Sequence, residues 1–252
     1  LGLRLQQASS THLLPSALFQ LYWPLTGWLT GGIMAAVIYF GGMILPHTIA
    51  VLMAIVARLL ITGALHEDGL TDFFDGFGGG GNNRQRILDI MKDSRTGTFG
   101  VVGIVMYLLI LFFALTAMPA KLAALTVLAA DPYSKMLAGQ IIMMMPYART
   151  EEESKAHVVY RKMNIKAGIS LFIQGMAPLA PLVLTCWGLV RWDLIIFIPG
   201  LVMYFLYLLI WRRLRGYTGD CCGAMFLLIE LSFYLTVSSQ FFNNRQLWTL
   251  FS

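Results

Sequence analysis

Residues 99–118 read FGVVGIVMYLLILFFALTAM, twenty positions without a single charge. At 1.5 Å of rise per residue, about 20 apolar residues in a helix cross the roughly 30 Å hydrocarbon layer of a bilayer. Six further stretches come close to the same standard: 21–41, 47–65, 122–146, 168–189, 193–211 and 221–242. The fourth in chain order holds Asp131, Pro132, Ser134 and Lys135, so a kinked or split helix is expected there. No internal repeat is visible. The expectation is an all-α, polytopic integral membrane protein, one transmembrane domain over 1–252 with about seven spanning helices.

Composition agrees. Hydrophobic residues make up 58% of the 252 and charged residues 12%, against roughly 45–50% and 25% in soluble domains. Twenty-four glycines would suit a flexible chain, but a mean hydropathy of +0.70 excludes disorder. The net charge of +5 does not mark a nucleic-acid binder, because no basic segment is interleaved with aromatics. Cys186, Cys221 and Cys222 form no CxxC pair and read as small apolar filler. His12, His47 and His157 stand alone and carry no signal.

The basic residues sort by loop. Arg4 precedes the first span. Arg84, Arg86, Lys92 and Arg95 follow the second, and Arg149, Lys155, Arg161, Lys162 and Lys166 follow the fourth. Arg212, Arg213 and Arg215 follow the sixth, whereas the alternate side has only Lys121, Arg191 and Arg245. Thirteen against three predicts that these loops and the amino terminus face the cytoplasm.

Six of the thirteen carboxylates fall between Glu67 and Asp93. In HEDGLTDFFDG (66–76), Asp68, Asp72 and Asp75 lie within about 60° of one another on a helix. Three like charges on one face repel unless a cation sits among them, and Mg²⁺ favours one or two carboxylates plus substrate phosphates. Asp89 and Asp93 form a second pair. Between the two groups, Gly78 to Asn83 reads as a flexible hinge that lets two acid-lined helices face each other. The run Asp93-Ser94-Arg95-Thr96-Gly97-Thr98-Phe99-Gly100 has the small residues and arginine of a phosphate cradle at a helix start. A third polar patch, 216–224, opens the last span on the same side. Glu230 lies inside that span and is expected either in the site or paired with Lys135. Arg58, inside the second span, either lines a pocket or pairs with an acid.

These motifs, HEDGLTDFFDG, ILDIMKDSRTGTFG and GYTGDCCGAMFLLIE, resemble those of the adenosylcobinamide-GDP ribazoletransferase (cobalamin synthase) family. Every fixed position of its His-x-Asp-Gly-Leu-x-Asp-x-x-Asp-Gly pattern is present from His66 to Gly76, and the hydropathy profile matches over most of the chain. Two departures stand out. Glu67 replaces a commoner apolar residue and receives no role. Residues 1–20 lack the expected Thr-Arg-Leu-Pro-type turn, so that segment, which starts at Leu1, reads as truncated or diverged.

The resemblance implies a Mg²⁺-dependent enzyme of the bacterial cytoplasmic membrane, its active site facing the cytoplasm. It transfers adenosylcobinamide phosphate from adenosylcobinamide-GDP to α-ribazole or its 5′-phosphate, releasing GMP. Asp68, Asp72, Asp75 and Asp93 are the expected metal ligands, with Asp89 behind them. His66 or an aspartate takes the proton. Arg95, Thr98, Thr218, Asp220 and Glu230 are the expected substrate-binding residues, with Arg95 on the pyrophosphate and Asp220 on the acceptor side. A homo-oligomer or a complex with other corrinoid-pathway enzymes stays open. Two rival classes remain: a CDP-alcohol-type phosphotransferase, whose Ala-Arg after Asp-x-x-Asp-Gly is missing here, and an ion-coupled transporter.

Overall fold

The computed structural model of the protein describes residues 22–149, 165–244 and 249. Segment 1–20, His12, Lys155, His157, Arg161, Lys162 and Arg245 lie outside the described residues. Among those described, the chain is helical, with a single isolated β-bridge. In chain order the helices are α1 (Trp23–Gly41), α2 (His47–Thr62), α3 (Leu65–Gly79), α4 (Arg84–Lys92), α5 (Thr98–Thr116) and α6 (Ala120–Met144). They continue with α7 (Ile165–Met176), a 3₁₀ turn (Ala177–Leu179), α8 (Ala180–Cys186), α9 (Trp192–Leu214) and α10 (Gly219–Asn243).

Among the described residues, five helical stretches are long and apolar enough to cross a membrane: α1, α5, Gly168–Cys186, α9 and α10. A sixth arises if α2 and α3, bent by 89° at their junction, count as one span. Several apolar helices of this kind make the protein membrane-embedded. The expected seventh is α6. It runs as one unsplit 25-residue helix through Pro132. Its ionisable residues are answered locally. Lys135 Nζ lies 2.6 Å from Asp131 Oδ1, and Thr30 of α1 donates to Asp131 at 2.6 Å and accepts from Lys135 at 2.9 Å. Gly27 and Gly31 let α1 come this close, because a Cβ on Gly27 would stand 2.8 Å from the Pro132 backbone.

Helix α10 is the axis of the bundle: 78% of its spanning window is buried, against 17% for α9, which lies at the periphery. Cys186, Cys221 and Cys222 are free and buried, as the apolar-filler reading expects. At one end of the bundle, arginines tie the loops together by donating to backbone carbonyls at helix ends and in the turns beside them. Arg84 donates to Leu214 O at 2.8 Å and to Ala148 O at 2.6 Å. Arg213 donates to Phe77 O at 2.7 Å and to Gly81 O at 3.2 Å. The starts of α4, α5 and α10 and the ends of α6 and α9 therefore share one end of the molecule.

Candidate functional site

Two consecutive left-handed residues, Gly63 (φ 61°) and Ala64 (φ 54°), end α2 and turn the chain into α3. The acidic motif thus sits on a separate helix laid across the bundle end. Its inner face carries Leu70, Phe73 and Phe77, all buried. The outer face carries the three aspartates in phase, and it passes from exposed at Asp68 through half-buried at Asp72 to buried at Asp75. His66 lies two residues from Asp68, about 200° around the helix. Its ring packs edge-on against Phe226 of α10, with centroids 4.8 Å apart. The structure therefore places His66 on the inner face, away from the carboxylates.

Asp75 is covered by the start of α5. Gly97 N donates to Asp75 Oδ2 at 2.6 Å and Gly100 N donates to Asp75 Oδ1 at 2.8 Å. A carboxylate thus fills the helix N-terminus that the sequence offers to a phosphate, a favourable place for negative charge. Both glycines are required by the approach: a Cβ on Gly97 would meet Asp75 Oδ1 at 2.6 Å. Thr98 opens α5 on the exposed side.

Asp93 ends α4 and is gripped by Arg95, whose Nη2 lies 2.7 Å from Oδ2 and whose backbone N–H donates to Oδ1 at 3.0 Å. These bonds hold the Asp93 carboxyl down to about 2, so it is ionised at any physiological pH. The arginine itself is 88% exposed. Asp89 is exposed too and accepts from Gln85 at 2.9 Å. Helices α3 and α4 do fold back on each other, but through apolar contact, with Ile87 and Met91 against Gly80 and Gly76. The expected pair of facing acid-lined helices does not form, because the acids of α4 lie off the contact side. The expected hinge is also more ordered than its composition suggests: Gly78 and Gly79 continue α3, and only Gly81 (φ 60°) takes a left-handed turn.

The third motif closes on the inner side of α3. Thr218 caps α10, its hydroxyl accepting from Cys221 N at 3.2 Å, and is fully buried. Asp220, in the first turn, is 3.9 Å from Arg149, which also donates to Leu88 O at 3.2 Å. Gly69 and Gly223 bring α3 and α10 together: a Cβ on Gly69 would stand 3.1 Å from Asp220 Cα. Bonds from Tyr217 N to Pro146 O and from Ala148 N to Tyr217 O fix the approach to α10. The three motifs, separated by up to some 150 positions, thus surround one helix.

Glu230 stands apart, ten residues or about 15 Å further along α10. It is fully buried and pairs with Arg58, not with Lys135. Arg58 Nη1 donates to Glu230 Oε2 at 2.6 Å, and Tyr234 donates to Glu230 Oε1 at 2.7 Å. Arg58 Nη2 donates to Tyr107 Oη at 2.6 Å and reaches Glu67 Oε1 at 3.4 Å. Glu67, to which the sequence gives no role, is 5% exposed and faces this cluster. The signal was available: a glutamate beside Asp68, one helix junction away from an intramembrane arginine.

Among the described residues, no three His, Cys, Asp or Glu side chains converge as a ready-made metal cluster. The donor chemistry nevertheless suits Mg²⁺. That ion is bound through one or two carboxylates and completes its shell with substrate phosphates and water. Asp68 and Asp72, one turn apart on the outer face of α3, provide such a pair. Asp75 and Asp93 accept hydrogen bonds on both oxygens, from the start of α5 and from Arg95 respectively.

The cobalamin-5-phosphate synthase family profile matches residues 9–238. Curated relatives called adenosylcobinamide-GDP ribazoletransferase align over most of both chains. The Vibrio parahaemolyticus protein is 36% identical, covering 86% of this chain and 80% of the relative. The Shewanella woodyi protein is 35% identical, over 85% and 82%. The Shewanella amazonensis protein is 37% identical, over 86% and 82%. No solved structure matches.

Proposed function

Because this chain belongs to the cobalamin-5-phosphate synthase family, we propose that it transfers adenosylcobinamide phosphate from adenosylcobinamide-GDP to α-ribazole or its 5′-phosphate. A ribazole hydroxyl attacks the phosphorus that carries the cobinamide. The bond from that phosphorus to the pyrophosphate bridging oxygen breaks, GMP departs with the oxygen, and the product is adenosylcobalamin or its phosphate. The observation that carries this reading is the convergence of His66–Gly76, Asp93–Gly100 and Thr218–Ala224 on α3. A CDP-alcohol enzyme or a transporter gives no reason for these three motifs to meet.

Phosphoryl transfer of this kind depends on positioning and charge neutralisation. Mg²⁺, when bound, supplies positive charge against the pyrophosphate. Asp68 and Asp72 are the residues that would hold it. Asp75 keeps the turn 97–100 against α3, which carries Arg95 and Thr98 alongside the same face. Arg95, released from Asp93, offers a planar fork to a phosphate. Asp220 orients the acceptor, and an aspartate of the outer face takes the hydroxyl proton, since His66 is turned toward Phe226. The basic loops that share this end support a cytoplasmic site in the cell membrane. The ion-paired α6 is then the seventh span, its Asp131 and Lys135 neutralised within the bundle.

The test is direct. Purified protein with Mg²⁺, adenosylcobinamide-GDP and α-ribazole should release GMP in step with cobalamin formation. No release, or turnover of a cytidine diphosphate alcohol instead, overturns the reading.

A further inference from the structure

We propose that Arg58, Glu67 and Glu230 are positioning residues that set the direction in which α3 presents Asp68 and Asp72. This rests on the reading of that helix as the transfer site. The junction between α2 and α3 needs to be held. It turns the chain by 89° and uses Ala64 at φ 54°, a conformation that costs a non-glycine residue free energy and persists only where its surroundings enforce it. No side chain caps the start of α3.

What spans the junction is the Arg58 guanidinium. It leaves α2 one turn before the bend and reaches Glu67 in the first turn of α3, next to Asp68. The same group is fixed from the other side by Glu230 at 2.6 Å and Tyr107 at 2.6 Å. Arg58 is 2% exposed and Glu230 fully buried, so water does not compete for these bonds. One guanidinium thereby locks α2, α3, α5 and α10 together. Lysine cannot reproduce this, because a single ammonium lacks the planar fork that serves Glu230 with one nitrogen and Tyr107 and Glu67 with the other.

Glu67→Gln is the discriminating variant, since it leaves the Arg58–Glu230 pair intact and keeps the side-chain shape. Arg58→Lys and the milder Tyr107→Phe accompany it. Each full-length variant, purified in detergent, is measured three ways: by thermal unfolding, by Mn²⁺ binding in place of Mg²⁺ followed by electron paramagnetic resonance, and by GMP-release kinetics. The expected result is about a 10-fold lower kcat with an unchanged KM for α-ribazole. In Glu67→Gln, Mn²⁺ binding should weaken by a similar factor at an unchanged melting temperature, whereas Arg58→Lys should also melt earlier because buried partners lose their donor. Wild-type Mn²⁺ binding and turnover in Glu67→Gln and Tyr107→Phe overturn the proposal. So does a loss of activity that follows the melting temperature alone while the folded fraction binds Mn²⁺ normally. If the wild-type protein releases no GMP, the functional reading fails, and the Mn²⁺ comparison still decides the positioning role. A wild-type protein that binds no Mn²⁺ overturns it.

Discussion

Two buried ion-pair clusters stand out among the described residues, and they differ in what they join. Asp131 and Lys135 lie one turn apart on α6, and Thr30 completes their hydrogen bonding from α1. Arg58 and Glu230 are 172 positions apart, and their cluster extends through Glu67 to the acidic helix. The first pair neutralises itself within one helix and secures a helix–helix contact. The second ties the membrane core to the surface where the phosphate chemistry is placed. Burial at membrane depth is therefore not by itself a sign of function. The direction in which a pair's bonds lead separates the structural pair from the positioning one.

Breaking either pair by half should do similar damage. Arg58→Ala strands the Glu230 carboxylate and Lys135→Ala strands Asp131, each at a cost of about 3–5 kcal/mol, which thermal unfolding in detergent will read. Replacing both partners by apolar residues of similar size sharpens the contrast, since removal of a whole buried pair is close to neutral for folding. Asp131→Leu with Lys135→Met should keep both stability and GMP release. Arg58→Met with Glu67→Gln and Glu230→Leu, which leaves no stranded carboxylate, should keep most of the stability but lose about 10-fold in turnover, or roughly 1.4 kcal/mol. Equal activity in the two multiple variants would erase the distinction.

Smaller effects are expected nearer the surface. Thr218→Ala removes the cap of α10 and should lower stability by about 1 kcal/mol, seen as a modest fall in melting temperature. Arg95→Lys should leave the melting temperature unchanged, because the Arg95–Asp93 pair is open to solvent. In kinetics it should raise the KM for adenosylcobinamide-GDP while leaving that for α-ribazole alone.

Much of this was legible in the sequence, for identifiable reasons. Apolar runs such as 99–118 fix helices by local physics alone, and the structure places α5 at Thr98–Thr116. The phase of Asp68, Asp72 and Asp75 follows from helical geometry, which is also local. Two consecutive left-handed residues were not legible, since Ala64 carries no turn signature. As a result the sequence, which ends the second span at 65, does not show the 89° bend between α2 and α3. The partner of Asp75 was equally hidden: backbone N–H groups at Gly97 and Gly100 leave no trace in residue chemistry, and the same glycines suit a phosphate cradle. The sequence leaves Glu230 either in the site or paired with Lys135, since both sit inside spans, and it does not show that the long Arg58 side chain reaches from α2 to Glu230 on α10.

The central claim is that the outer face of α3 carries the transfer, and GMP release by Asp68→Asn and Asp72→Asn across a Mg²⁺ titration tests it most directly. Both substitutions keep side-chain shape and remove one charge. The account predicts at least ~100-fold lower turnover, about 2.7 kcal/mol of transition-state stabilisation, in proteins that melt like the wild type. Full turnover in both variants with an unaltered Mg²⁺ dependence would contradict it.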